Sequence, residues 1–145
     1  MQISEIISEW ENDCKIDKTS LDDETLKIPI LHSKYLKELS LERIRLLNAK
    51  TKQKELHGTL FRYYKGELNI PAELKALNKE PWQHRTMKAD LNTYIEQDKS
   101  WIDLCLKINL SEEKVKMLEA IMKSLENRSF QISNAINWQK LLGGK

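Results

Sequence analysis

Turn-forming residues are scarce in this chain, with four glycines and three prolines among 145 residues. A loop-rich all-β fold needs many more of them. Cysteine is scarcer still. Cys14 and Cys105 lie far apart and form no CxxC pair. That argues against a disulfide framework or a zinc site and makes a reducing cytosol the default. Both read most simply as small buried apolar groups. His32, His57 and His84 are scattered and read as surface or packing residues. No run approaches the roughly 18 consecutive apolar residues of a membrane-spanning helix. No secretory leader is expected, because the first 24 residues carry eight acids and no long apolar run.

Catalytic motifs are missing as well. There is no phosphate loop of the Walker type, no GxGxxG, no HExxH and no nucleophile elbow. Asp98 and Asp103 could in principle pair, but acids scattered on helices are normally solvated. No catalytic residue, no metal and no cofactor is expected, and the chain does not read as an enzyme.

Charge is what the chain has in plenty, at 32 % of residues, and its net value of +2 hides segregation. Residues 1–30 carry a net −5, residues 31–65 a net +6, and residues 66–145 a net +1. A basic middle segment points to an anionic partner, with nucleic acid the first candidate. The plainer alternative is the solvated side of a helix, since Lys and Arg are good helix formers.

Hydrophobic spacing gives an all-α fold, elongated, built on a helical hairpin of coiled-coil-like long helices with a C-terminal oligomerisation helix. It reads as a single domain over 1–145. Residues 1–30 form acidic leader helices. Ile3, Ile6, Ile7 and Trp10 fall on one face of a helix over 3–13. Thr19 and Ser20 start a second piece, which Pro29 should end or kink. Residues 31–66 form a long basic helix. Its seam is Tyr35, Leu39, Glu42, Leu46, Ala49, Gln53, Leu56, Leu60 and Tyr63, spaced alternately four and three apart. Gly66 is the stop. Residues 67–83 are a linker with a short helix near 72–78. Residues 84–145 are the C-terminal helices. The first, over 84–108, draws its apolar surface from residues such as Leu91, Ile95 and Trp101. A break is expected at Asn109 to Ser111, with Ser111 as a fresh cap. The last helix, from about 112 to 141, carries Val115, Leu118, Met122, Leu125, Ile132 and Ile136, with Ser129 interrupting the seam.

On the middle helix, Arg43, Lys50, Lys54 and Lys65 fall within roughly 60° of one another at 100° per residue. His57 joins that stripe. Phe61, Tyr63 and Tyr64 lie at its end beside Arg62 and Lys65. A cationic track with rings fits single-stranded nucleic acid, in which phosphates follow the cations and bases stack on aromatics. The candidate DNA-binding residues are Arg43, Lys50, Lys52, Lys54, Arg62, Tyr63, Tyr64 and Lys65. Core packing remains the alternative for Tyr63 and Tyr64. The C-terminal seam can pack inside one chain or between copies. Self-association is the expectation, through Leu118, Met122, Leu125, Phe130, Ile132, Ile136 and Trp138, since large apolar and aromatic side chains dominate interfaces.

The order of these features resembles the UvsY recombination mediator proteins of tailed phages, over about residues 19–145. The likeness rests on Leu31-His32-Ser33-Lys34-Tyr35-Leu36, on Tyr63-Tyr64-Lys65-Gly66 and on Met87-Lys88-Ala89-Asp90-Leu91. Its most specific part is Asn127-Arg128-Ser129-Phe130-Gln131-Ile132, followed by Ala135-Ile136-Asn137-Trp138-Gln139-Lys140. The resemblance implies a non-enzymatic assembly factor that binds single-stranded DNA. Such a protein helps load a phage RecA-like recombinase onto DNA covered by the phage single-stranded-DNA-binding protein. It also implies a ring-like homo-oligomer of roughly six or seven subunits, a closed cyclic arrangement. The expected location is the cytoplasm of the infected bacterial host, with no membrane partner. One member carries two basic residues, spaced two apart, just ahead of the Tyr-Tyr pair. Gly58 and Leu60 stand there in this chain, so the charge has moved along the helix, and only Tyr63, Tyr64 and Gly66 carry over. The alternative function is a coiled-coil protein–protein adaptor without direct DNA binding.

Overall fold

A computed structural model describes residues 1–143 of the chain. Those residues form five α-helices and no strand: α1 (Ile3–Asp13), α2 (Leu21–Tyr64), α3 (Pro71–Ala76), α4 (Leu91–Gln97) and α5 (Lys99–Gly143). A 3₁₀ turn (Lys88–Asp90) leads into α4. The all-α expectation holds, and α2 and α5 are the long helices. No helix among the described residues is long and apolar enough to cross a membrane.

Three boundaries differ from those read in the sequence. The first is the start of α2 at Leu21, so the helix runs straight through Pro29. Proline removes the N–H that would bond the Thr25 carbonyl, and it clashes with that turn. Thr25 and Pro29 are both exposed, so water can take the freed carbonyl. The helix is carried past that point by its buried face, which includes Leu21, Glu24, Tyr35 and Leu39. The second difference is the late start of the C-terminal helices, at Leu91 rather than 84. The third is the absence of a break at Asn109–Ser111. No Gly or Pro occurs between Lys99 and Leu142, and one mid-helix Ser costs only tenths of a kcal/mol (about 0.5). The break falls at Asp98 instead. Its extended backbone ends α4, and its Oδ1 accepts the Ser100 N–H at 2.9 Å to cap α5.

The expected stop at Gly66 is present. Gly66 takes φ +82°, its N–H reaches the Tyr63 carbonyl, and the Glu67 N–H reaches the Arg62 carbonyl, both at 3.0 Å. This paired closure satisfies two end carbonyls of the helix and needs a residue tolerant of positive φ. Asn78 closes α3 in the same way at φ 54°. All nine seam residues of α2, from Tyr35 to Tyr63, are buried or half-buried.

The chain divides into two compact units. The first comprises Met1–Ile44 and the chain from Glu113 onward. Its core is Ile6, Tyr35, Leu39, Leu118, Ile121, Met122 and Leu125. The Tyr35 hydroxyl donates to Asp13 Oδ2 at 2.7 Å, and Trp10 meets the Tyr35 ring edge-on. The C-terminal seam is not interrupted at Ser129, which is exposed; it passes through Arg128, which is 3 % exposed. The Arg128 guanidinium donates to the Asp13 carbonyl at 2.7 Å and lies over the Trp10 ring. A buried cation is tolerated where it is hydrogen-bonded and set against an aromatic face.

That packing corrects the expected contacts between copies. Leu118, Met122, Leu125 and Ile132 are 1–8 % exposed and hold their own chain together. Ile136 is half-buried. Phe130 and Trp138 remain open, at 70 % and 61 % exposure.

The second unit is Arg45–Glu112. Leu60, Tyr63, Tyr64, Leu68, Leu74, Leu91 and Ile95 form its core, flanked by Leu56, Leu77, Trp82 and Trp101.

Candidate nucleic-acid interface

The buried seam decides which residues of α2 face water in the second unit. With the seam turned inward, Lys50, Lys54, His57, Phe61 and Lys65 lie within about 80° of one another along one flank. All five are exposed. Lys65 Nζ sits 5.5 Å from the centroid of the Phe61 ring, close enough for a cation–π contact. Lys50 pairs with Glu112 at 3.3 Å and Lys65 with Glu67 at 3.4 Å. Exposed pairs of this kind contribute about 0–1 kcal/mol and are screened by salt. A phosphate can therefore displace either carboxylate at little expense. Among the described residues Lys54 has no ion-pair partner.

The other expected cations are placed differently. Lys52 is exposed but points about 160° away from Lys50 and Lys54 around the helix. Arg62 pairs with Glu73 at 3.4 Å. Arg43 belongs to the first unit, where it pairs with Glu119 at 2.9 Å.

Tyr63 and Tyr64 are not open to a base, which corrects their expected stacking role. Each is 6 % exposed. Tyr63 donates its hydroxyl to the Glu80 carbonyl and Tyr64 to Asp98 Oδ2, both at 2.6 Å. Their rings meet at 4.9 Å, Trp82 lies edge-on to Tyr64, and Tyr94 stacks on Tyr64. This is a core assembled from aromatic rings.

Asp98 is the polar centre of that core. Its side chain is 0 % exposed and takes Lys79 Nζ at 2.7 Å. Burial pushes its carboxyl up, but hydrogen bonds from Lys79 and Tyr64 outweigh burial and hold it below the ordinary carboxylate value. Burial and the same carboxylate drive the Tyr64 phenol well above its ordinary value. In the sequence Asp98 looks like any other acid on a helix; only the fold brings Lys79 and Tyr64 to it.

Trp101 was legible only as apolar surface, yet it stands beside the basic stripe, with its ring 5.6 Å from that of His57. Cys14 is exposed and Cys105 half-buried, so neither is the fully buried group expected. Among the described residues no three His, Cys, Asp or Glu side chains gather as a metal-binding group.

Residues 9–145 match the sequence family described as "Recombination, repair and ssDNA binding protein UvsY". The fold is similar to crystal structures of the bacteriophage T4 recombination mediator protein UvsY. Lattice type II gives a TM-score of 0.84 at 19 % identity, covering 99 % of this chain and 98 % of that one. Lattice type IV gives 0.84 at 19 % identity, covering 97 % and 99 %. Lattice type I gives 0.82 at 19 % identity, covering 94 % and 98 %. No curated protein sequence matches the chain.

Proposed function

Because the chain belongs to the UvsY family of recombination, repair and single-stranded-DNA-binding proteins, we propose that it is a recombination mediator whose Lys50–Lys65 stripe holds single-stranded DNA. As a homo-oligomer it promotes loading of a phage RecA-like recombinase onto DNA covered by single-stranded-DNA-binding protein, in the cytoplasm of the infected host. The chain supplies no catalytic group of its own to this role; ATP use and strand exchange belong to the recombinase. The observation that carries the reading is the exposed flank that Lys50, Lys54 and Lys65 share with His57 and Phe61. One such flank makes few phosphate contacts. Several copies in one oligomer engage one strand together, and tethering raises the effective affinity by orders of magnitude (about 10²–10⁴).

The test is a titration of a fluorescent single-stranded oligonucleotide at several salt concentrations, with the duplex alongside. Log affinity should fall with log salt by about 0.7 for each phosphate neutralised, and the single strand should be preferred. No binding at low salt would place the adaptor function ahead.

The surface for self-association is the open apolar end of α5, with Phe130, Trp138, Leu141 and Leu142 at 61–71 % exposure. Exposed aromatics of this kind mark contact sites. Phe130→Asp combined with Trp138→Asp should shift the protein to smaller species in sedimentation while its helix content stays constant. An unchanged oligomer would move the interface to another face.

A further inference from the structure

In the second unit, half-buried Trp101 of α5 and exposed His57 of α2 meet at 63°, with ring centroids 5.6 Å apart. Together with Gln53 and Lys54 they line a shallow cavity of ≈ 370 Å³, within the size range of small-ligand sites (about 300–1,000 Å³).

This pair differs from the rings of the unit's aromatic core. Tyr63, Tyr64 and Trp82 have committed their polar atoms to Glu80, Asp98 and Thr86, and they cover one another. Among the described residues, neither the Trp101 indole N–H nor a His57 ring nitrogen has a hydrogen-bond partner. Neither ring has a parallel neighbour there. Gln53 donates its amide nitrogen to Cys105 Sγ at 3.3 Å. That contact anchors the amide and leaves its oxygen as an acceptor. The cavity therefore offers an unstacked indole, an amide acceptor and a cation that lacks an ion-pair partner. A nucleobase with its own phosphate needs all three: a π-face, an edge partner and a charge.

We infer that Trp101, His57 and Gln53 form a seat for one base of a bound single strand, with Lys54 on the adjoining phosphate. The inference rests on the single-strand reading above and adds to it a base contact distinct from the phosphate track. Stacking tolerates any sequence, because every base has a π-face. The seat therefore grips a strand mainly by stacking, and Gln53 adds only a preference for a base that presents an N–H.

The full-length protein is titrated with oligo-dT and with an abasic oligomer of the same length, at one salt concentration. The variants are Trp101→Leu, Trp101→Phe and His57→Ala. Leucine keeps apolar bulk where Trp101 flanks the core, and His57 is exposed, so a packing defect is separated from lost stacking. Trp101→Leu should weaken oligo-dT binding about tenfold and leave abasic binding and the salt slope unchanged. Trp101→Phe should restore most of the loss, and His57→Ala should give a smaller loss of the same kind. An equal loss on both oligomers, or none, overturns the seat. So does wild-type protein that binds both oligomers equally, although the single-strand reading then survives. Wild-type protein that binds neither overturns that reading and the seat together. Thymidine monophosphate that binds as tightly as the strand, and loses equally with Trp101→Leu, would reassign the cavity to free nucleotides.

Discussion

Asp98→Ala should lower the stability of the chain by about 3–5 kcal/mol, the loss typical of a buried ion pair deprived of one partner. Thermal unfolding should then begin about 10 °C lower or more. Four groups lose a partner at once: Lys79, the Tyr64 hydroxyl and the N–H groups of Ser100 and Trp101 at the start of α5. Asp98→Asn separates the charge from the hydrogen bonds. Asparagine keeps one acceptor oxygen, enough to cap α5, and its amide nitrogen can donate to the Tyr64 oxygen, so its loss should be smaller. The pH dependence follows from the direction of the shift. The folded carboxyl sits below its ordinary value of 3.8, so the unfolded chain binds the proton first. The stabilisation is thus complete above that value and is lost as pH falls through the depressed folded one. Asp13, where burial is outweighed by hydrogen bonds from Lys34 and Tyr35, is shifted the same way. Wild-type protein should therefore lose stability steeply only below about pH 4, whereas Asp98→Ala should show a flatter acid limb. Denaturant melts across pH measure both. A difference between the two proteins that stays constant down to pH 2 would remove the ion pair from the account.

The second large effect is on DNA. Lys50→Ala, Lys54→Ala and Lys65→Ala combined should reduce the salt slope by about 2 for each subunit that engages the strand, from about 0.7 per lost contact, and weaken single-strand binding at least about 50-fold near physiological salt. The fold should be unaffected, since all three side chains are exposed. Lys52→Ala is the matched control. It removes the same charge from the same helix on the far side, and it should change affinity little. Loss from Lys52→Ala as large as from any single stripe lysine would mean that net charge binds the strand, and that the flank does not.

How much of this was legible in the sequence follows physical lines. The nine-residue seam of α2 was legible because burial repeats with the helical period, and even Glu42 and Gln53 keep their places on it. Gly66 was legible because positive φ favours one residue type. Pro29 misled, since a proline's effect depends on whether its turn faces water or core, and sequence does not record that. Tyr63 and Tyr64 stood beside cations, so stacking and core packing were both open to them although Tyr63 also falls on the seam. Their partners Glu80, Trp82, Tyr94 and Asp98 come from later segments that only the tertiary fold returns to them. Ser129 looked like an interruption of the apolar seam, and Arg128 was not legible as the residue that continues it, because the Asp13 carbonyl that receives it lies 115 residues away in the chain. Trp101 became visible as a site only when α5 was placed beside His57.

The division into units also sets an order in time. Arg45–Glu112 is one uninterrupted stretch, so all of its partners have left the ribosome once Glu112 has. The other unit joins Met1–Ile44 to the chain beyond Glu113. Tyr35 and Leu39 must wait for Leu118, Ile121 and Leu125 before they can be covered. Closing that long loop is entropically costly if the intervening chain is loose and less so if it is already compact. The contiguous unit is thus the natural first folder.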